Sequence, residues 1–170
     1  MGFKMIEFKI FLRDRDQEYI AASGWNHSVR AIFERDPQYY DEVKARIIIG
    51  SEGKASHVFE DNLGPLIQNL CLYGARSIMA GKNHVFRIWS YASEIQINLH
   101  DQIARIEGEF CGTSTYPAKE LAQALITCAG QAINFLKMVQ SKLPQSSEHA
   151  IESLEKLYVE VKEEAGHWHP

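Results

Sequence analysis

Residues 87–100, RIWSYASEIQINLH, alternate apolar and polar side chains over nearly their whole length. A period of two is the signature of a strand with one face buried, and it constrains the chain further because it can be folded on paper. A two-residue turn at Ala92-Ser93 pairs Phe86 with Leu99, Ile88 with Ile97 and Ser90 with Ile95 on one face. The other face then holds Arg87 with Asn98, Trp89 with Gln96 and Tyr91 with Glu94. A second turn at Asp101-Gln102 pairs Leu99 with Ala104, Ile97 with Ile106 and Ile95 with Gly108 on the same apolar face. Opposite them fall His100 with Ile103, Asn98 with Arg105, Gln96 with Glu107, and Glu94 with Glu109. Both turns assign the same face to the core, so the segment predicts an antiparallel three-strand meander.

Upstream, Ile6, Phe8, Ile10 and Leu12 alternate with charged or exposed-type residues and predict a first strand over 5–13. SVRAIFE at 28–34 and ARIIIG at 45–50 predict two more, the latter closed by the turn signal SEGK, with RDPQYYDEV as the link between them. A helix is predicted from Asp61 or Asn62, either of which could cap it, to a stop at Gly81. Its stripe is Leu63, Leu66, Ile67, Leu70, Gly74 and Ile78. After the meander, CGTSTYP reads as a loop, and a second long helix runs from about Pro117 to Gln140 with Leu121, Ala124, Leu125, Cys128, Ala132, Ile133, Leu136 and Val139 on its apolar face. SKLPQSS is a linker, and 148–164 shows a narrower stripe of Ile151, Leu154, Leu157, Tyr158 and Val161. The expected architecture is α+β: a largely antiparallel sheet, two long helices packed on one face, and a peripheral C-terminal helix. Residues 1–143 are expected to form a single α+β domain, with 144–170 a linker and acidic helix packed on that same domain.

At 170 residues the chain can bury a core without metal or disulfide. A net charge of −4, with no cluster of Lys and Arg, gives no electrostatic footprint for nucleic acid. The deficit sits in the last segment, where six glutamates (148, 152, 155, 160, 163 and 164) face two lysines (156 and 162). No run approaches the ~20 apolar residues of a membrane span, and the charged N-terminus lacks a secretory h-region. The expectations are a cytoplasmic protein with no membrane association and no cofactor.

Few residues point to chemistry. Cys71 and Cys128 lie on apolar helix stripes and read as core, while Cys111 is the loop thiol. No G-x-S-x-G, GxxxxGK[ST] or GxGxxG occurs. His167 and His169 in the terminal HWHP could chelate weakly, although a polar chain end is usually disordered. Glu94, Glu107 and Glu109 could supply an acid pair, as any polar sheet face could.

The polar face of the meander draws more interest, because it sets Trp89 and Tyr91 among Arg87, Gln96, Asn98, Arg105 and Glu107. Aromatics flanked by arginine and polar groups on a rigid surface match the composition of protein–protein hot spots. The opposing reading is ordinary wet surface, since a one-sided sheet must show water something and Trp and Tyr favour strands. The acidic, aromatic link with Asp36, Tyr39 and Tyr40 could bind a basic protein surface or be a solvated turn.

The succession FEDNLGPLIQNLCLYG, HVFRIWSYASEIQINL, RIEGEF and PAKELAQALITCAGQAINFL, over 59–139, resembles the layout of small bacterial domains, some of which serve as immunity proteins in polymorphic toxin systems. That resemblance implies a protein that neutralises a cognate toxin by binding it, without chemistry of its own; it carries no site residues. The leading expectation is therefore a non-enzymatic protein-binding module with a protein partner. The alternative is a small enzyme or ligand-binding protein with a pocket between sheet and helices, using Cys111, His84 or His100. A homodimer through the acidic helix is a further expectation.

Overall fold

The computed structural model describes residues 6–11, 19–21, 43–50, 57–88, 93–109, 112–143 and 145–169. The strands are β1 (Ile6–Phe11), β2 (Tyr19–Ala21), β3 (Lys44–Ile49), β4 (His57–Asn62), β5 (His84–Ile88), β6 (Ser93–His100), β7 (Ile103–Gly108) and β8 (Gly112–Pro117). Between β4 and β5 runs a continuous helical segment, α1, over 63–79: an α-turn Leu63–Leu66, a π-helical stretch Ile67–Tyr73 and an α-helical end Gly74–Met79. The chain closes with α2 (Ala118–Val139) and α3 (Glu148–His167). The strands form two antiparallel four-stranded sheets, ordered β2-β1-β3-β4 and β5-β6-β7-β8. The fold is α+β.

The first sheet is built by alternation. Ala45, Ile47 and Ile49 on β3 and Phe59 on β4 are buried, and the register sets Ile10, Phe8 and Ile6 of β1 opposite the three β3 residues. On the far face Arg46 pairs with Glu60 across β3 and β4. The sequence reading missed β4 because its inward set is His57, Phe59 and Asp61, polar at both ends, while Val58 faces solvent. The three-residue β2 was also missed. The strand expected at 28–34 and the 35–42 part of the link expected at 35–43 lie outside the described residues.

The second sheet confirms one turn of the meander and moves the other. β6 and β7 pair as predicted, Leu99 with Ala104, Ile97 with Ile106 and Ile95 with Gly108, around Asp101 and Gln102. Both turn residues have positive φ, 44° and 63°, as a type I′ hairpin requires. The β5–β6 pairing differs: Phe86 meets Ile95, Arg87 meets Glu94 and Ile88 meets Ser93, so the connection is the longer segment 89–92 and not a tight turn at Ala92-Ser93. Sliding the pairing by an even number of residues leaves every side chain on its own face. Phe86, Ile88, Ile95, Ile97, Ala104 and Ile106 are buried as expected, although almost none has its predicted β5–β6 partner. The segment CGTSTYP, read as a loop, supplies β8, with Tyr116 buried opposite Ala104.

The two inner faces share one core with α1 and α2. Phe59 packs edge-on to Phe86 at 6.1 Å, and Tyr116 reaches across to donate its hydroxyl to the Ile49 carbonyl at 3.4 Å. Asn62 occupies the N-cap of α1 without a side-chain bond; Leu63 N–H donates instead to the Val43 carbonyl at 2.7 Å. The π-helical stretch widens the helix, so Cys71, Leu72 and Ala75 are buried along with the predicted stripe. Gly81 ends α1: its φ is +68°, its N–H donates to Ile78, and Lys82 N–H donates to Ser77, a Schellman closure that favours glycine.

α3 packs on α1 and α2. Ile151, Leu154 and Val161 are buried, Arg76 reaches Glu160 and Glu164 at 3.3 and 2.8 Å, and Lys137 meets Glu155 at 2.6 Å. The acidic surface of α3 is thus partly spent on holding it in place. The helix continues through His167, and Trp168 packs partly buried against the core, so the expected disordered tail is ordered this far.

Candidate functional site

The outward face of β5–β8 is a grid of side chains fixed by strand register. One row runs Arg87, Glu94; the next Val85, Gln96, Glu107, Thr113; the next Asn98, Arg105, Thr115; the last His100, Ile103, Pro117. Every member is exposed or half-buried, so the whole face meets solvent. Two apolar residues stand in it, Val85 and Ile103, 52% and 42% exposed.

The polar groups are tied to one another. Asn98 Nδ2 donates to Glu107 Oε1 at 2.6 Å, Arg105 Nε donates to Glu107 Oε2 at 2.9 Å, and Gln96 Nε2 donates to Glu94 Oε1 at 3.4 Å. Arg87 stands 4.0 Å from Glu94. Exposed pairs of this kind are worth roughly 0–1 kcal/mol each, so their effect is to orient the side chains more than to hold the fold. Glu107, with both oxygens engaged, is the fixed point of the face. Beside it lies a shallow recess of about 420 Å³ lined by Glu94, Gln96, Glu107, Glu109 and Thr113, with Gly108 and Gly112 at its rim.

Arg87, Gln96, Asn98, Arg105 and Glu107, the predicted contact residues within the described strands, therefore share one face. Trp89 and Tyr91 fall in the 89–92 connection and lie outside the described residues, as do Asp36, Tyr39, Tyr40 and Cys111. The register correction removes Trp89 from its predicted place opposite Gln96 and Tyr91 from opposite Glu94, since Val85 and Arg87 hold those positions.

No family model, curated protein or solved structure matches this chain. The site is therefore argued from its own geometry.

The other candidate groups separate clearly. Cys71 and Cys128 are buried, 0% and 2% exposed, and burial beside Cys128 pushes the Cys71 thiol well above its ordinary pKa. Among the described residues no three His, Cys, Asp or Glu gather as a metal site, and no helix is long and apolar enough to cross a membrane. His100 sits exposed beside Asp101, at 3.0 Å. His57, stacked on Phe59 at 6.0 Å and edge-on to Tyr116 at 6.4 Å, belongs to the core.

His84 is different. It lies where β5 meets α1, the junction of sheet and helix that the alternative reading proposed for a pocket. Its Nε2 is 2.7 Å from the Asn69 carbonyl in the π-helical stretch, its Nδ1 is 3.4 Å from Ser77 Oγ, and its ring stacks on Phe86 at 5.8 Å. Burial lowers its pKa from the ordinary value, opposed in part by the bond to Asn69. Sequence reasoning named His84 but had no signal for Ser77, which only the helix geometry brings to the ring.

Proposed function

We propose that this chain is a non-enzymatic, cytoplasmic protein-binding module that engages a protein partner through the outward face of β5–β8, in the manner of an immunity protein that blocks a toxin domain by direct contact. One observation supports this reading above the others: the face is rigid, solvent-exposed across all four strands, and carries polar groups already oriented around Glu107. Pre-oriented groups lose little rotamer freedom on binding, so contacts made there are not offset by ordering costs of about 0.5–1.5 kcal/mol per side chain. The 89–92 connection, which leaves the sheet at Ile88 and returns at Ser93, adds Trp89 and Tyr91 in sequence beside Arg87 and Glu94.

The test is partner capture by purified full-length protein. The bait panel is the wild type, Arg87→Ala with Arg105→Ala, Trp89→Ala with Tyr91→Ala, and Arg46→Ala on the opposite sheet. The prey are toxin domains encoded next to the gene. Loss of capture by at least tenfold in the first two variants, with circular dichroism and Tm unchanged and Arg46→Ala binding normally, is the expected outcome. Capture that survives both face variants overturns the proposal.

A further inference from the structure

The contact between His84 and Ser77 has the connectivity of a nucleophile and its base. Asn69 offers a carbonyl, which can only accept, so the proton of the neutral imidazole resides on Nε2 and Nδ1 carries the lone pair. Ser77 Oγ then donates to Nδ1 across 3.4 Å, a separation typical of catalytic pairs before substrate tightens them. The Asn69 carbonyl does for this ring what an orienting third group does in a triad: it fixes tautomer and plane. Phe86 stacks on the ring from the same strand, and Ile97 is the cross-strand partner of His84. The groups set against the ring from α1, β5 and β6 are thus a carbonyl, a hydroxyl, a phenyl and an aliphatic chain, none of which ionises. Ser77 is half-buried, on the last turn of α1, and exposed Ala80, Gly81 and Lys82 follow it, so one side of the pair opens to solvent.

We propose that Ser77 is a latent nucleophile, with His84 as its general base, that accepts acyl groups from small activated esters. The step balances without a cofactor. Ser77 Oγ forms a bond to the acyl carbon, its proton passes to His84 Nδ1, the bond between acyl carbon and leaving oxygen breaks, and the leaving phenol or alcohol takes that proton. The products are an acyl-serine and the free alcohol. General-base assistance contributes about 10²–10⁴-fold, which confines the reaction to donors with a good leaving group, such as aryl esters, and to acyl groups small enough to reach a half-buried hydroxyl. The low basicity of a buried imidazole keeps it in the acceptor form at neutral pH. This activity lies on the α1 side of the sheet and is independent of the binding face.

The experiment treats the full-length protein with p-nitrophenyl acetate and locates the acetyl group by peptide mapping, so that acetylated lysines are counted apart. The expected result is acetylation of Ser77, absent in Ser77→Ala, with a rate at least tenfold lower in His84→Gln, which keeps a donor for the Asn69 carbonyl and removes the base. The wild-type rate should be flat above about pH 6.5 and fall below it as the imidazole takes up a proton. Should His84→Gln fail to fold, that pH profile and a solvent deuterium isotope effect on Ser77 acetylation decide the matter. No acetyl group at Ser77, or one installed at the rate of the urea-unfolded chain without a pH inflection, overturns the proposal.

Discussion

The β6–β7 hairpin and the end of α1 offer a reciprocal test of backbone strain. Gln102 has φ of 63° and Gly81 has φ of 68°, so nearly the same left-handed conformation is held by a residue with a Cβ at one site and without one at the other. Both are exposed, and a Cβ built on Gly81 meets nothing within 4 Å, so crowding does not confound the comparison. A non-glycine residue pays roughly 1–2 kcal/mol for the left-handed region. Glycine gives back about 0.4–1 kcal/mol through the greater freedom of its unfolded chain. The difference predicts that Gln102→Gly stabilises by about 0.5–1 kcal/mol and Gly81→Ala destabilises by a similar amount. At about 2–4 °C per kcal/mol for a chain of this size, the Tm should rise by about 1–4 °C in the first and fall by as much in the second. The backbone acceptor at Gln102, which receives Ala118 N–H at 2.8 Å, survives the change. Urea denaturation with an unchanged m-value provides the assay, with Gln102→Ala as a control expected within about 0.5 kcal/mol of wild type. If both swaps move stability the same way, the left-handed conformation is not what sets these energies, and the turn assignment is wrong.

Three further outcomes follow from single contacts. His84 has a lowered folded-state pKa, so the unfolded chain binds its proton first; the stability it contributes is complete above the unfolded value of about 6.5 and is lost as pH falls through the folded pKa. Denaturation midpoints should therefore drop between pH 7.5 and 5, and by less in His84→Gln. Gly130 approaches Tyr158 so closely that an added Cβ would stand 2.7 Å from its hydroxyl oxygen. Gly130→Ala should cost about 1–3 kcal/mol as α3 or the ring is displaced, and Tyr158→Phe in the same chain should recover part of the lost Tm. Ser93 is buried with no hydrogen-bond partner for its hydroxyl in the structure. An unmet buried polar group is unfavourable by about 1–3 kcal/mol, so Ser93→Ala should leave the urea midpoint unchanged or raised, and a clear loss of stability would show an unseen partner.

What could be read from the sequence follows from which physical pattern was clean. β1, β3, β6, β7 and the three helices each show one period, two or 3.6, carried by aliphatic residues, and all were legible to within a few positions. β4 was not, because His57 and Asp61 occupy its inward positions and invert the pattern. β8 was not, because Gly112, Ser114 and Pro117 mimic a loop, while the burial that makes it a strand rests on Tyr116 alone. The β5–β6 register failed for a subtler reason: pairing sums that differ by four place the same side chains in the core, so hydrophobic pattern fixes the face and leaves the partners open. For the candidate site this means that Arg87, Gln96, Asn98, Arg105 and Glu107 were assignable to one surface from alternation. The bonds centred on Glu107, and the meeting of Ser77 with His84, depend on side-chain reach and helix phase, which alternation does not encode.

Helix phase gives the π-helical stretch Ile67–Tyr73 a consequence of its own. Each α-helical residue advances the axis by about 100°, so in α1 a change of one residue upstream of Gly74 acts as a rotation before it acts as a shortening. Deleting a single residue from 67–73 would let the wider turn relax to an α-helical one and would swing Gly74–Met79 about its axis. That would carry Ser77 away from His84 and turn Gly74 from its neighbours Ile97 and Leu125. The connection 89–92 is the opposite case, a segment whose even-numbered slips leave the sheet's two faces as they were. Within one chain, then, residue count acts as an angular setting in the helix and as slack in the adjoining hairpin, and length variation should be rare in the first and common in the second.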